Sequence, residues 1–273
     1  MGGGRARSTR YAVAMSAFYS PRRKRNLYRP RDRRPFALSR SKIDLFLECP
    51  RCFYIDRRLG AGRPPGFPFN LNNAVDRLLK AEFDAHRTAG TNHPLLETRG
   101  VDARPVAREE LEDWRDHRKG VRYLHRPTNF LVTGAIDDLW IDSAGRYIVV
   151  DFKATSKEGP ITALDQDWHS SYKRQIEVYQ WLLRRNGYRV SDTGYFLVCN
   201  AHADAPALNG RLEFDLTLIP HTGSDDWVEP TLEDIHRCLN DEPIPPPGQG
   251  CNHYAYVAEV ARVTGKEGPG GAF

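Results

Sequence analysis

At 273 residues, with 40% hydrophobic and 27% charged residues, the chain has the make-up of one large globular domain. No stretch approaches the 18 or so consecutive apolar residues of a membrane-spanning helix, and an odd count of five cysteines argues against a disulfide framework. The net charge of +5 is unevenly spread: residues 1–40 carry 12 Lys/Arg and one acid, Asp32, whereas the remainder carries 28 basic and 34 acidic residues.

In chain order, residues 1–38 are arginine-rich, are broken by Pro21, Pro30 and Pro35, and read as a basic disordered arm. Such an arm fits a polyanionic partner such as nucleic acid, the plain alternative being a solvated tail. The apolar stretch Tyr11–Ala17 is too weak for a leader peptide, so a cytoplasmic location is expected. The main domain is expected over 39–262. Ser39 or Ser41 can cap a short helix whose apolar face is Ile43, Phe46 and Leu47. Pro50 interrupts it, Cys52–Leu59 resumes an apolar pattern, and the Gly/Pro-rich run Gly60–Pro68 is a loop. The spacing of Leu71, Val75, Leu78, Leu79 and Phe83 predicts a long helix over Asn70–Arg87. A further helix is expected over Val106–Lys119.

Arg122–His125, Asn129–Ile141 and Tyr147–Ala154 read as strands, the last two joined in a hairpin at Ser143-Ala144-Gly145. A second amphipathic helix is predicted over Ser171–Asn186, followed by strands Thr193–Asn200 and Arg211–Ile219 and a helix Pro230–Asn240. The Pro/Gly-rich run Pro243–Gly250 follows, and residues 263–273 are expected to fray. The run Ile148–Phe152 is nearly continuous in apolar residues, which predicts helices on both faces of a mixed sheet, an α/β sandwich.

Two acids interrupt these apolar strands. Asp137 closes Gly134-Ala135-Ile136-Asp137, and Asp151 lies in Ile148-Val149-Val150-Asp151-Phe152-Lys153. The period of two puts Asp151 and Lys153 on one face, and the hairpin can bring Asp137 beside Asp151. Two carboxylates in apolar surroundings repel each other, which makes a divalent cation their natural counter-charge. Oxygen ligands favour Mg2+ or Mn2+, with the backbone carbonyl of Phe152 as a further ligand. Lys153 can then orient or help deprotonate an attacking water and offset charge developing on a phosphate. Gln175 and Tyr179 stand four residues apart on one helix face. A lone Asp-x-Lys tripeptide is more often a surface salt bridge; the second acid and the Gln/Tyr pair are what lift this one above that reading.

Taken together, these residues resemble the PD-(D/E)XK nuclease superfamily. The similarity is strongest to its RecB-like exonuclease branch, which includes CRISPR-associated and helicase-fused nucleases. The matching pieces run in order over about residues 40–255: Ser39-Arg40-Ser41-Lys42-Ile43 through Cys49-Pro50-Arg51, then Gly134-x-x-Asp137, Asp151-x-Lys153 and Gln175-x-x-x-Tyr179. The resemblance implies a restriction-endonuclease-like αβββαβ core and metal-dependent phosphodiester hydrolysis with DNA as substrate, at ends or on single strands. It also implies that Gln175 and Tyr179 bind nucleic acid or support the lysine, and that a helicase or another repair or defence protein is a partner. The rival reading is a nuclease fold that binds DNA or a partner without cutting it.

The chain departs from the branch in two places. A metal-binding histidine is usual on the first long helix; here Asp76 stands there, expected to serve as the ligand, with Glu82 the runner-up and a solvated helix acid the bland alternative. Some relatives hold an iron–sulfur cluster through four cysteines, but Tyr254 and Val260 occupy two of the C-terminal places, so a cluster is not expected. Cys49, Cys52, Cys251 and His253 have acceptable chemistry for zinc, weighed below buried structural thiols.

Overall fold

A computed structural model describes residues 22–265. Strand β1 (Phe36–Ser39) leads directly into helix α1 (Arg40–Glu48), with Ser39 at the N-cap position, and Pro50 opens a separate helix α2 (Pro50–Tyr54) that runs on as a wider π turn over Ile55–Leu59. The long helix α3 covers Asn70–Ala89 and ends on Gly90 in the left-handed conformation. Short elements α4 (Pro94–Thr98), β2 (Arg104–Pro105) and α5 (Leu111–Arg115) follow. The central run is β3 (Val121–His125), β4 (Phe130–Gly134), β5 (Asp138–Ile141), β6 (Tyr147–Thr155) and helix α6 (Ser170–Arg185). Strands β7 (Thr193–Ala201) and β8 (Phe214–Thr222) and helices α7 (Val228–Asn240) and α8 (Asn252–Thr264) complete the chain.

The strands form two sheets, β1-β4-β3 and β2-β5-β6-β7-β8. Pairing is parallel for β1/β4 and β6/β7 and antiparallel elsewhere, so both sheets are mixed. Successive residues of β6 serve opposite faces. Ile148, Val150 and Phe152 pack with Leu79 and Phe83 of α3, whereas Val149 joins Ile176 and Leu182 of α6 and Leu232 and Ile235 of α7. Helices therefore cover both faces of the five-stranded sheet, and Asp151 and Lys153 share the α6 face.

Four expectations need correction. The predicted strand Asn129–Ile141 is two strands, β4 and β5, lying in different sheets and parted at Ala135–Asp137. The break falls where Gly134 meets the Tyr179 ring: a Cβ at Gly134 would stand 2.7 Å from a ring carbon. The helix expected over Val106–Lys119 is only Leu111–Arg115, because Val106 continues sheet pairing, its N–H donating to the Leu139 carbonyl at 3.2 Å. The arm is anchored to the domain at Arg23, Tyr28 and Phe36–Leu38 rather than loose up to residue 38, although Arg31–Pro35 are exposed. Arg23 and Tyr28 donate backbone hydrogen bonds to Gly60 and Arg57, and Phe36 and Leu38 are buried. Residues 1–21 lie outside the described residues, as does most of the predicted C-terminal tail, whose first two positions still belong to α8.

Candidate active site

The hairpin register pairs Asp138 with Val150 across β5 and β6, so one step further places Asp137 opposite Asp151. The Asp137 carboxylate turns back onto β6 and accepts the Phe152 N–H at 2.9 Å. Asp151 is fully buried and forms a tight ion pair with Lys153. From α6, Gln175 Nε2 donates to Asp151 Oδ1 at 2.6 Å and reaches the Tyr179 hydroxyl at 3.1 Å, while its Oε1 accepts from Lys153 Nζ at 3.4 Å. One amide thus ties the acid, the lysine and the tyrosine together. The Tyr179 hydroxyl stays neutral, its pKa pushed up to about 12 first by burial and then by the nearby Asp151 and Asp137 charges.

Helix α3 closes the other side. Asn72 Nδ2 donates to the Ala154 carbonyl at 2.6 Å, fixing the start of the helix against the end of β6. Asp76 sits one turn further along, where Lys80 Nζ pairs with its carboxylate at 2.9 Å and with Asp137 at 3.6 Å. The result is a cleft of about 320 Å3 lined by Asn72, Asn73, Asp76, Asp137, Phe152, Lys153 and Tyr172. Glu82 is directed away from it, pairing with His93 at 2.9 Å. A larger cavity, about 390 Å3, lies between residues 26–36 and α7 and contains none of these acids.

The electrostatics of the cleft call for a cation. Asp137 is pushed up to about 6, first by burial and then by the charge of Asp151, against the opposing pull of Lys80, Lys153 and the Phe152 N–H. Its neighbour Asp138 sits in a different setting. That carboxylate is fully buried, ion-paired with Arg87 and with Arg115 at 2.7 Å, and accepts from the Leu139 N–H and the Trp140 indole. Burial pushes the Asp138 carboxyl upward as well, against the pull of Arg87 and Arg115, but its oxygens are filled by partners from the protein whereas those of Asp137 are not. Asp137 could take a hard divalent ion: its charge is uncompensated enough to hold a proton near pH 6, and its side chain keeps 24% exposure. Asp76, Asp137 and Asp151 do not bring three carboxylate oxygens within 4.8 Å of one another, so an ion shared by all three would have to draw them closer.

Two contributors were not among the residues singled out from sequence. Lys80 follows Asp76 by one helical turn, a pairing distance that was available to be read. Tyr172 precedes Gln175 by three positions, and its ring lies 4.4 Å from Lys153 Nζ, a cation–π contact that confines the ammonium.

A helix-flanked mixed sheet carrying two acids and a lysine at the ends of adjacent strands defines a class of phosphodiester-cleaving folds. The family model of the PD-(D/E)XK nuclease superfamily matches residues 37–256, and the chain belongs to that superfamily. No curated protein sequence matches the chain. Among the described residues no helix is long and apolar enough to cross a membrane.

Proposed function

We propose that this protein is a Mg2+- or Mn2+-dependent DNA nuclease of the RecB-like kind, hydrolysing phosphodiester bonds at ends or on single strands. The observation that carries this reading is the convergence of Asp151 and Lys153 under one Gln175 side chain, with Asp137 tied to the same strand through the Phe152 N–H. Asp137 and Asp151 hold the ion, with the Phe152 carbonyl as a further ligand, and Asp76 completes the set when Lys80 lets it go. A bound divalent ion supplies positive charge on the phosphoryl oxygens and an acidified water. Lys153 keeps its ammonium beside the reacting phosphate, orients the attacking water and offsets the charge that builds up as the new P–O bond forms and the old one breaks. Gln175 and Tyr172 hold that ammonium in place, and Tyr179 holds Gln175. The surplus of basic residues before residue 40 fits a polyanionic substrate. The resemblance to RecB-like nucleases supports a cytoplasmic role alongside a helicase or another repair or defence protein.

The test is cleavage of labelled linear, circular and single-stranded DNA with Mg2+ or Mn2+. Asp151→Asn and Lys153→Ala should each lower the rate by at least about 100-fold while leaving the circular dichroism spectrum unchanged; undiminished cleavage in both variants refutes the assignment. One observation favours a second reading, a DNA-holding module that does not cut. Lys80 pairs with Asp76 at 2.9 Å and stands 3.6 Å from Asp137, where a metal would sit. Retained DNA binding with no Mg2+ or Mn2+ uptake at millimolar concentration supports that second reading.

A further inference from the structure

Outside the acidic cleft, one other cluster brings ligating atoms together. The sulfur atoms of Cys49, Cys52 and Cys251 all lie within 4.8 Å of one another, the only His/Cys/Asp/Glu group so tightly drawn among the described residues. Two of these residues sit at the α1–α2 junction, and the third caps α8 some 200 positions later. Cys49 and Cys251 are buried, and Cys52 is half-buried.

Hydrogen-bond donors and one cation stand beside two of the three sulfurs. The Cys49 sulfur accepts from the Cys52 N–H at 3.4 Å and from the Gly248 N–H at 3.3 Å. Arg63 Nη2 stands 3.4 Å from the Cys251 sulfur and offers charge to offset thiolates. Gly248 is pressed so closely onto this junction that a Cβ there would lie 2.0 Å from the Glu48 carbonyl. Helix α8, by contrast, buries none of its own residues and leaves Tyr256, Val257, Val260 and Val263 exposed. Apolar packing of α8 therefore contributes little at this end of the chain, which is held by polar contacts such as Arg51 over the Tyr254 ring at 5.1 Å and by the approach of Cys251 to Cys52.

We propose that Cys49, Cys52 and Cys251 bind a single soft divalent cation of the zinc type, which fastens the C-terminal segment to the α1–α2 junction. Two thiolates on one tetrahedral zinc, each at about 2.3 Å, stand about 3.8 Å apart. The Cys52–Cys251 separation is 3.6 Å. A 4Fe–4S cluster puts each thiolate on a different iron, a 2Fe–2S cluster puts no more than two on one iron, and either needs about four ligands; three closely set sulfurs fit one ion better. A disulfide joins only two of the three and requires contact near 2.05 Å. Each ligating thiol gives its proton to solvent on binding. No fourth His, Cys, Asp or Glu joins the group among the described residues, and His253 is exposed, so water takes the fourth position.

The test uses the full chain, purified with reductant and without chelator. Elemental analysis should find about one zinc per chain, and titration of the zinc-stripped protein with Co2+ should raise a near-ultraviolet sulfur-to-cobalt charge-transfer band. Cys52→Ser and Cys251→Ser should lose both signals, whereas Asp151→Asn, altered in the acidic cleft, should keep both. The wild-type Co2+ titration decides the matter even if a cysteine variant misfolds. The proposal is overturned by wild-type protein that yields no cobalt band with all three thiols open to alkylation. Iron with acid-labile sulfide, or a Cys52–Cys251 disulfide by mass spectrometry, overturns it as well.

Discussion

Asp137 and Asp138 are adjacent in sequence, yet they end in opposite circumstances. Asp138 lies inside a closed ion network with Arg87 and Arg115 that leaves it nothing to bind. Asp137 faces a cleft with another carboxylate nearby and cationic partners that do not cancel the repulsion. The difference separates an acid that holds the fold from an acid that waits for a ligand. Burial is common to both; what differs is whether the protein itself completes the charge.

The sharpest way to break this comparison is to neutralise each acid in turn. Asp138→Asn should leave Arg87 and Arg115 uncompensated and cost about 3–5 kcal/mol in urea unfolding. Asp137→Asn should stop metal-dependent cleavage while leaving stability at neutral pH unchanged or improved. The sign follows from its raised pKa. The proton bound by the folded form stabilises it at low pH, and that stabilisation is lost as pH rises from the usual carboxylate range through about 6. A fall in melting temperature for Asp137→Asn at pH 7.5 would contradict this account.

The second effect is on pH dependence. A divalent ion competes with the proton on Asp137, so cleavage at low metal concentration should rise as pH increases through about 6. Raising the metal concentration should move that midpoint down; a midpoint indifferent to metal would place the titrating group elsewhere.

Lys80→Met removes the ammonium between Asp76 and Asp137 and should lower the metal concentration needed for half-maximal activity by roughly 10-fold, about 1.4 kcal/mol. Weaker metal binding in this variant would show that Lys80 supports the site rather than competing for it. A smaller structural effect is expected from Gly134→Ala, whose Cβ meets the Tyr179 ring at 2.7 Å. The crowding should cost about 1–3 kcal/mol of stability and loosen the Tyr179–Gln175 contact. The smallest effect concerns the basic arm. Deleting residues 1–21 removes three arginines, which can lower the salt slope of DNA binding by at most about 3. A deletion reaching residue 38 also removes β1 and its pairing with β4, so it tests the fold and not the arm.

The acids and the lysine were legible because a charged residue inside an apolar strand is conspicuous, and the period of two fixes which side chains share a face. The same logic identified Gln175 and Tyr179 from helical spacing. It did not separate Asp137 from Asp138 on physical grounds, since the arginines that saturate Asp138 come from α3 and α5. The break between β4 and β5 was equally hidden, because the apolar pattern runs through it and the partner that leaves no room for a side chain at Gly134, the Tyr179 ring, lies on a distant helix.

By itself the amino-acid order determined the helices flanking a mixed sheet, the hairpin joining β5 to β6, and the common face of Asp151 and Lys153. These depend on periodicity and turn chemistry, which are local. The tertiary structure alone decided that Lys80 bridges Asp76 and Asp137, that residues 23–38 are anchored instead of trailing, and that three cysteines separated by up to 202 positions meet. Those outcomes depend on which remote elements approach one another, and long-range packing leaves no periodic trace in the chain.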